Sequence, residues 1–391
     1  MLIGIYISSI GGGENLFKLL KLDIRLLKEI DRTVLISTIL LVLYGALNIY
    51  LCTKGGTNSF YYVKKQLMWF IVSLVALYVF ISIDYTIIYN YVPIFYWGSI
   101  VLLIITKFAG VVVNGARGWL KFGPISLQAS ELAKIGIILM LAKKLDDMDG
   151  KINDVKNFFT LVMYAGIPVI FIVTQPDMGM TMVCFFIVLG IFYAAGLDMK
   201  IIGGGLLSLV LAVMIVWNSG LLPSYQKARF TGFLNPEADD AGNGYHLTQS
   251  LIGIGSGGMF GSRPSLKNDG ATGYAAQNVP EVQTDFIFSA VAEQWGFIGA
   301  MILLTLYGFM LYKMIAIART SKDIFGSVIC TGIASYFLFA ILQNIGMTIG
   351  LLPITGITLP LISYGGSSLL TTVISVALVI NVGMRRKKIY F

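Results

Sequence analysis

Ten long apolar runs, joined by polar connections, constrain the fold of this chain more than any other feature. A helix needs about 20 mostly apolar residues to cross a bilayer, and a lone strand cannot satisfy its backbone in lipid. With 57% hydrophobic and 12% charged residues in 391, the chain is predicted to be an all-α polytopic membrane protein with about ten transmembrane helices. The predicted spans cover about 33–52, 67–83, 89–108, 130–142, 158–174, 180–197, 201–217, 286–312, 324–345 and 367–382. The fourth is short, and the eighth is long enough to tilt or to extend beyond the membrane.

The distribution of Lys and Arg sets the predicted orientation, because cytoplasmic segments carry an excess of basic residues. It indicates a plasma membrane protein with both termini in the cytoplasm. Residues 1–32 and the basic tail 383–391 lie inside, and the ten-helix domain covers 33–382. The net charge of +8 follows from this topology. A nucleic-acid-binding protein would need a soluble basic face, so we predict no nucleic-acid partner.

Cysteine and histidine chemistry is not indicated by the sequence. The three cysteines, Cys52, Cys184 and Cys330, fall within or beside predicted spans, where Cys behaves as a small apolar residue. Their spacing fits neither a disulfide nor a zinc site. The single His246 cannot build a histidine-based metal site alone.

Two connections on the predicted outer side are the places where we expect function. The first covers about 109–129, and the second covers 218–285, which is far longer than an ordinary loop. The second contains the run 253–258 (GIGSGG), which formally matches the dinucleotide-binding pattern GxGxxG. No βαβ unit surrounds it, so we interpret its glycines as a tight backbone in a partly embedded loop.

Asp285 is the most informative acidic residue, because it lies where the long outer loop enters the eighth span. A carboxylate at this position suits chemistry at the bilayer surface on a substrate dissolved in the bilayer. The alternative is that Asp285, or Thr284 beside it, caps the N-terminus of the helix. Glu281 and Glu293 are competing acids nearby, and spacing alone leaves these interpretations open.

Charged residues also occur at the start of other predicted spans. Glu131 and Lys134 are three residues apart and therefore share one face of the fourth helix. Ionisable groups in a span usually pair with one another or face a cavity. The pair is either a neutralised structural element or part of a polar cavity wall where Lys134 meets phosphate. Asp177 precedes the sixth span and suits an N-cap.

Four basic residues lie on the two outer connections, although positive-inside statistics give no reason for cations there. They are Arg117, Lys121, Lys227 and Arg229. They indicate either an anionic ligand or solvated surface charges, and the sequence leaves both open. Trp119 lies among them, where an interfacial anchor would be ordinary.

Five ordered motifs resemble those of a known family. They are NGARGWLKFGPISLQASELAK (114–134), QPDMGM (175–180), the segment 225–261, PEVQTDFIFSAVAEQWGFIG (280–299) and GLLPITGITLPLISYGGSSLL (350–370). From about residue 30 onward, the chain resembles the SEDS proteins (shape, elongation, division and sporulation), and most of all their RodA branch.

The resemblance implies a peptidoglycan glycosyltransferase that polymerises lipid II on the outer face of the plasma membrane and serves cell elongation and shape. It implies a partner transpeptidase, a class B penicillin-binding protein. It also implies that Asp285 is the essential catalytic residue and that Trp119 is required for activity. Glu131 and Lys134 correspond to residues that line the family's polar cavity.

The chain departs from the family pattern at a few positions. Ala129 stands where the family usually has Pro, Val279 where it has Leu, and Gln294 where it has a second Glu. Arg263 and Pro264 replace part of a customary glycine stretch. These departures leave the branch open, and a sporulation paralogue is the alternative.

The implied chemistry joins an acceptor sugar hydroxyl to the anomeric carbon of a lipid-linked donor and expels a polyprenyl diphosphate. We expect Asp285 to act as general base. Arg117, Lys121, Lys134 and Arg229 are candidates for stabilising the leaving diphosphate. No cofactor is assigned, and a divalent cation (Mg²⁺ or Mn²⁺) is the alternative to these side chains. Two other functions stay open, namely a flippase that moves lipid II and a non-catalytic scaffold for a transpeptidase.

Overall fold

The structure is a computed structural model, and it describes residues 28–54, 59–113, 116–123, 125–219, 233, 242–262 and 273–386. In chain order its helices are α1 (Arg32–Thr53), α2 (Ser59–Ser82), α3 (Tyr85–Ala109), α4 (Ala129–Asp147), α5 (Val155–Val173), α6 (Met178–Ala194), α7 (Met199–Asn218), α8 (Asn243–Gly257), α9 (Tyr274–Asn278), α10 (Ile287–Thr320), α11 (Ile324–Thr348) and α12 (Gly366–Met384). All except α8 and α9 correspond to the ten predicted spans. The prediction of an all-α polytopic membrane protein is confirmed.

The spanning helices differ in how apolar they are. In the described part of the chain, seven are long and apolar enough to cross a membrane, namely α1, α2, α3, α5, α10, α11 and α12. The helices α6 and α7 are apolar but form shorter runs. The helix α4 carries Glu131 and Lys134 within its buried face, which lowers its apolar character.

A small antiparallel sheet, which the sequence did not predict, fills the connection between α3 and α4. Its strands are β1 (Val111–Val113), β2 (Ala116–Phe122) and β3 (Ile125–Gln128), in the order β1-β2-β3. Strand β2 pairs with β3 in the register Trp119 opposite Gln128 and Lys121 opposite Ser126. The sheet therefore leads directly into α4 and fixes the start of that helix.

Polar residues collect at two opposite ends of the helix bundle. At one end Arg385 forms an ion pair with Asp84 (Nε–Oδ2 3.1 Å), and the Tyr85 hydroxyl donates to Asp323 (2.6 Å). The other end carries the sheet and the starts of α4, α6 and α10. Between the two ends the bundle interior is mostly apolar, and it includes all three cysteines.

The long eighth span is not one continuous helix, because α10 has a kink at Gly296 (φ 65°). The backbone groups freed there bond to the segment that follows α8. The amides of Phe297 and Ile298 donate to the carbonyls of Gly258 (2.9 Å) and Met259 (3.2 Å). This arrangement satisfies backbone groups that lipid would leave without partners.

The glycine-rich run predicted as a tight loop is helical instead, because residues 253–257 form the end of α8. Gly257 ends α8 directly against the backbone of α10. A Cβ at this position would overlap the carbonyl oxygen of Ala292 and lie 2.8 Å from the Cα of Glu293. Gly255, on the same helix, faces open space. The close approach of α8 to α10 therefore depends on Gly257.

We expect Gly257→Ala to lower the thermal unfolding temperature of the purified protein in detergent. Overpacking of this kind costs about 1–3 kcal/mol. Gly255→Ala is the matched control, and it should leave stability unchanged or slightly raised because Ala favours a helix over Gly. Equal unfolding temperatures for the two variants would contradict the packing role of Gly257.

Candidate active site

Asp285 lies in the turn directly before α10, and its backbone is held by a side chain from α11. The Asn344 amide donates to the carbonyl of Asp285 (2.8 Å) and to the carbonyl of Ile357 (2.7 Å). Asn344 is completely buried. One side chain thus ties the turn that carries Asp285 to the segment between α11 and α12.

The two residues before Asp285 are held by the same segment. The Ser363 hydroxyl donates to the carbonyl of Thr284 (2.6 Å), and the Tyr364 amide donates to the carbonyl of Gln283 (2.9 Å). Three consecutive carbonyls, at 283, 284 and 285, therefore accept hydrogen bonds from outside their own turn. Such anchoring fixes the position of a functional side chain before any ligand binds.

Asp285 does not occupy the N-cap position of α10. Phe286 holds that position, and its side chain makes no cap hydrogen bond. The Thr284 hydroxyl donates instead to the carbonyl of Glu281 (3.0 Å). Asp285 is half-buried, and its carboxylate faces Gly356, where a Cβ would lie 3.5 Å from Oδ2.

Glu131 and Lys134 form a buried ion pair inside the bundle. The Lys134 Nζ atom lies 2.6 Å from Glu131 Oε2, with side-chain exposures of 1% and 6%. The Thr371 hydroxyl donates to the same carboxylate oxygen (2.6 Å), and Lys134 Nζ lies 3.6 Å from the centre of the Tyr336 ring. Removing two charges from water costs several kcal/mol per ion, so these contacts are needed to retain the pair.

Asp177 caps α6, as predicted, and also takes part in a larger polar group. Its Oδ1 atom accepts from the Met180 amide (3.0 Å), and Oδ2 accepts from Gln128 Nε2 (3.0 Å) and the Ser130 hydroxyl (3.4 Å). Burial raises the pKa of the Asp177 carboxyl, the Glu131 carboxylate adds to the shift, and the hydrogen bonds oppose it. Asp177 therefore links the end of β3 to the start of α6.

The two faces of strand β2 have different surroundings. Arg117 and Lys121 are exposed, and the half-buried Trp119 lies between them on the same face, because alternate residues of a strand share a face. The opposite face carries Gly118, where a Cβ would lie 3.7 Å from Gln175 Oε1 and 4.0 Å from Asp177 Oδ2. The structure thus brings Gly118, rather than the predicted basic residues, next to the buried polar group.

A short stretch of backbone connects the Asp177 region to Asp285. A Cβ at Gly179, two residues after Asp177, would lie 2.8 Å from the carbonyl oxygen of Thr355. The next residue, Gly356, faces the Asp285 carboxylate. Seven predicted residues therefore occupy one end of the bundle. They are Arg117, Trp119, Lys121, Glu131, Lys134, Asp177 and Asp285.

Several buried polar atoms near this end have no hydrogen-bond partner among the described residues. They include Gln175 Oε1, Asn344 Oδ1, Thr355 Oγ1 and Ser367 Oγ, each on a residue at most 9% exposed. Buried polar atoms are normally satisfied, and those without a protein partner commonly bond water or a ligand. The region between α4, α6 and α12 thus offers polar atoms to a bound molecule.

The remaining predicted residues have other positions. Glu293 accepts hydrogen bonds from the amides of Tyr274 and Ala275, and it thereby holds the start of α9. Glu281 is exposed. Lys227 and Arg229 lie outside the described residues. Within the described ranges no group of three or more His, Cys, Asp or Glu side chains could hold a metal ion.

Sequence reasoning missed the polar residues that hold Asp285 and Glu131 in place. Asn344 and Thr371 lie within predicted spans, and polar side chains in spans usually have a specific partner. Their polar character within apolar spans could therefore have marked Asn344 and Thr371 as candidates for a structural or functional role. The role of Ser363 has no comparable signal, because its partner Thr284 is 79 residues away in the sequence.

The sequence matches the family described as "Cell cycle protein" (FtsW, RodA and SpoVE) over residues 29–388. The chain belongs to this family. The resemblance to the SEDS proteins is confirmed. Among curated SEDS relatives, stage V sporulation protein E of Bacillus subtilis (strain 168) is 33% identical over 366 residues, which cover 90% of this chain and 96% of the relative. Peptidoglycan glycosyltransferase MrdB of Escherichia coli (strain K12) is 31% identical over 359 residues, which cover 92% and 95%.

A solved structure shares the fold of this SEDS protein. It comes from a peptidoglycan synthase complex described in terms of the structural coordination of polymerization and crosslinking. The TM-score is 0.78 at 29% identity, and the match covers 90% of this chain and 97% of the other. The helical architecture described above is therefore that of the SEDS proteins.

One departure from the usual SEDS pattern lies in the bundle interior. Gln294, where the family usually has a second Glu, is 1% exposed, and neither polar atom of its amide has a hydrogen-bond partner among the described residues. It follows Glu293, which is also buried. Nothing in the structure explains this substitution.

We expect Asn344→Leu to destabilise this SEDS protein. Leu cannot donate to the carbonyls of Asp285 and Ile357, and each buried carbonyl left without a donor costs about 1–3 kcal/mol. The thermal unfolding temperature in detergent should fall. Asn157→Leu, at a less buried amide near the opposite end, is the control and should change it little. An unchanged unfolding temperature for Asn344→Leu would show that these two hydrogen bonds do not stabilise the turn.

Proposed function

We propose that this SEDS protein is a peptidoglycan glycosyltransferase that polymerises lipid II at the outer face of the plasma membrane, with Asp285 as general base. The observation that carries the proposal is the setting of Asp285. Its side chain is half-buried at the end of the bundle that carries the sheet, its backbone is anchored by α11, and the N-cap position of α10 belongs to Phe286. The name of the relative MrdB supports the reaction class.

The reaction requires activation of a weak nucleophile, the acceptor sugar hydroxyl. A carboxylate held near that hydroxyl lowers the barrier by taking its proton. As the proton passes to Asp285, the oxygen forms a bond to the anomeric carbon of the donor. The bond from that carbon to the diphosphate oxygen breaks, and the polyprenyl diphosphate leaves with the electron pair. A single displacement of this kind inverts the anomeric carbon.

The leaving diphosphate gains negative charge, which cations in the site would stabilise. Arg117 and Lys121 on β2 are exposed and accessible to a headgroup. Lys134 is paired with Glu131 in the structure. It would have to leave that ion pair before it could stabilise the diphosphate. Arg229 remains a candidate from the sequence. A divalent cation would take most of its oxygen ligands from the diphosphate itself, as Mg²⁺ often does in phosphate sites.

The biological setting follows from the same proposal. The end of the bundle that carries the sheet faces outward, and residues 1–32 and 383–391 face the cytoplasm. The protein acts in cell elongation and shape together with a class B penicillin-binding protein, and the solved synthase complex supports such a pairing. The similarity to stage V sporulation protein E keeps sporulation as the alternative branch.

A lipid II flippase is the second candidate, because transporters also carry ionisable pairs inside their bundles. The buried Glu131–Lys134 pair is the observation that favours it. A pathway through the membrane would need further polar groups along the bundle axis. The unpartnered polar atoms near Asp177 instead lie close to the end that carries the sheet. A non-catalytic scaffold would not need a half-buried carboxylate on an anchored turn at this position.

We expect Asp285→Asn to reduce glycan polymerisation by purified protein from lipid II about 10²–10⁴-fold, the usual contribution of general acid–base catalysis. Its unfolding temperature should stay close to that of the wild type. Glu281→Gln, an exposed acid four residues earlier, is the control and should polymerise normally. Wild-type rates from Asp285→Asn would disprove the general base. Transfer of lipid II across liposomes without any glycan product from the wild type would favour the flippase.

The two interpretations of the Glu131–Lys134 pair predict different behaviour of a double variant. Glu131→Gln alone leaves Lys134 buried without its counter-charge, which should cost about 3–5 kcal/mol. The pair Glu131→Leu with Lys134→Met replaces both charges by apolar groups and should recover much of that stability. If the pair lines the substrate cavity, the double variant folds but polymerises poorly. Full polymerisation by the double variant would show that the pair is structural only.

A further inference from the structure

A row of aromatic and basic side chains, which the proposed mechanism does not use, runs along the start of α2. The ring of Tyr364 meets Tyr62 edge-on (5.0 Å between centres), and Tyr62 meets Tyr61 in the same way (5.6 Å). The Lys65 Nζ atom lies 4.5 Å from the centre of the Tyr61 ring. We call these four residues, together with Lys64, the α2 shelf.

The α2 shelf is joined directly to the turn that carries Asp285. Gln66, which is completely buried, donates to the carbonyl of Ser363 (3.2 Å) and accepts from the amide of Gly365 (3.4 Å). It therefore binds the residues on both sides of Tyr364. The amide of Tyr364 in turn donates to the carbonyl of Gln283 (2.9 Å), two residues before Asp285. One end of the shelf is thus fixed beside the proposed general base.

The two lysines of the shelf have no counter-ion among the residues that the structure describes. Within the described part of the chain, neither Lys64 nor Lys65 has an acidic partner within 4.0 Å. Lys64 is exposed and Lys65 is half-buried against Tyr61. They lie at the end of the bundle that faces outward in the proposed orientation, where positive-inside statistics disfavour Lys. Adjacent cations without counter-ions favour an anionic ligand.

The aromatic part of the shelf narrows the class of ligand. Tyr61 is exposed, and Tyr62 and Tyr364 are half-buried, so parts of three rings are accessible near the membrane boundary. Tyrosines at this depth present an apolar ring and a hydroxyl that bonds polar groups. A headgroup that combines phosphate with hydroxyl or amide groups would use both the lysines and the rings. A simple inorganic anion would use only the lysines.

We propose that the α2 shelf binds the phosphate-bearing headgroup of a membrane lipid and holds it beside Asp285. This inference rests on the proposed function in one respect, namely that the headgroup is the diphosphate and sugar of lipid II. An anionic phospholipid offers related phosphate chemistry from a second source. The shelf has no acid or base aimed at the reacting atoms, so its lysines contribute to binding and orientation.

The test uses the full-length protein in nanodiscs and the double variant Lys64→Gln, Lys65→Gln. Lys107→Gln, a lysine in the last turn of α3 at the same end of the bundle, is the matched control. Binding of fluorescent lipid II and steady-state polymerisation are measured in neutral phosphatidylcholine and in membranes that also contain phosphatidylglycerol. Unfolding temperatures establish that each variant is folded, and the variant Lys64→Arg, Lys65→Arg tests rescue by charge.

We expect the double Gln variant to raise the Kd and KM for lipid II about 10-fold or more in neutral membranes, since each interfacial lysine contributes about fivefold. The kcat should change little, the Arg variant should restore binding, and added salt should reduce the difference. A defect that is seen only with phosphatidylglycerol would identify phospholipid as the ligand.

Unchanged binding and KM in both membranes would overturn the shelf proposal. The binding measurement does not depend on turnover. Failure of the wild type to make glycan would therefore reject the proposed function and still leave the shelf tested.

Discussion

The need to satisfy non-helical backbone inside a membrane protein governs the arrangement of this site. The segment 350–365 has no helix or sheet of its own, yet it packs inside the bundle. Side chains from the surrounding helices supply its hydrogen bonds, with Gln66, Tyr307, Gln343 and Asn344 all donating to its carbonyls. Lipid offers no replacement for these donors. The segment is thereby held in one conformation, and the turn that carries Asp285 is held with it.

Two acidic groups at this end of the bundle have different electrostatic settings. Glu131 is enclosed with a cation 2.6 Å away and a hydroxyl donor, so its charge is compensated within the protein. Asp285 is half-buried in the turn before α10, and its Oδ2 atom lies on the side of Gly356. A buried, compensated carboxylate is costly to disturb, whereas one at the boundary can meet a substrate hydroxyl. This difference supports Asp285 rather than Glu131 as the base.

The sequence was sufficient to predict the helices and insufficient to predict the contacts between them. Apolar runs of about 20 residues identify spans because lipid permits few alternatives. Strand β2 was missed, because the segment around Trp119 is short and its pairing with β3 depends on a tight turn. The anchoring of Asp285 by Asn344 joins residues 59 positions apart in the sequence, and the contact of Tyr62 with Tyr364 joins α2 to the segment before α12. Periodicity carries no information on such pairs, whereas the motif resemblance indicated Asp285 without explaining how it is held.

The kink at Gly296 divides α10 into an outer part and an inner part. The outer part follows Asp285 and is bonded to the segment after α8, because the Ser262 amide donates to the carbonyl of Glu293 (2.9 Å). The inner part covers 297–320, and its apolar length has to match the thickness of the surrounding bilayer. The inner part is bonded to the same segment, through the amides of Phe297 and Ile298. The break in α10 is therefore a braced corner, and the segment after α8 keeps the direction in which the chain leaves Asp285.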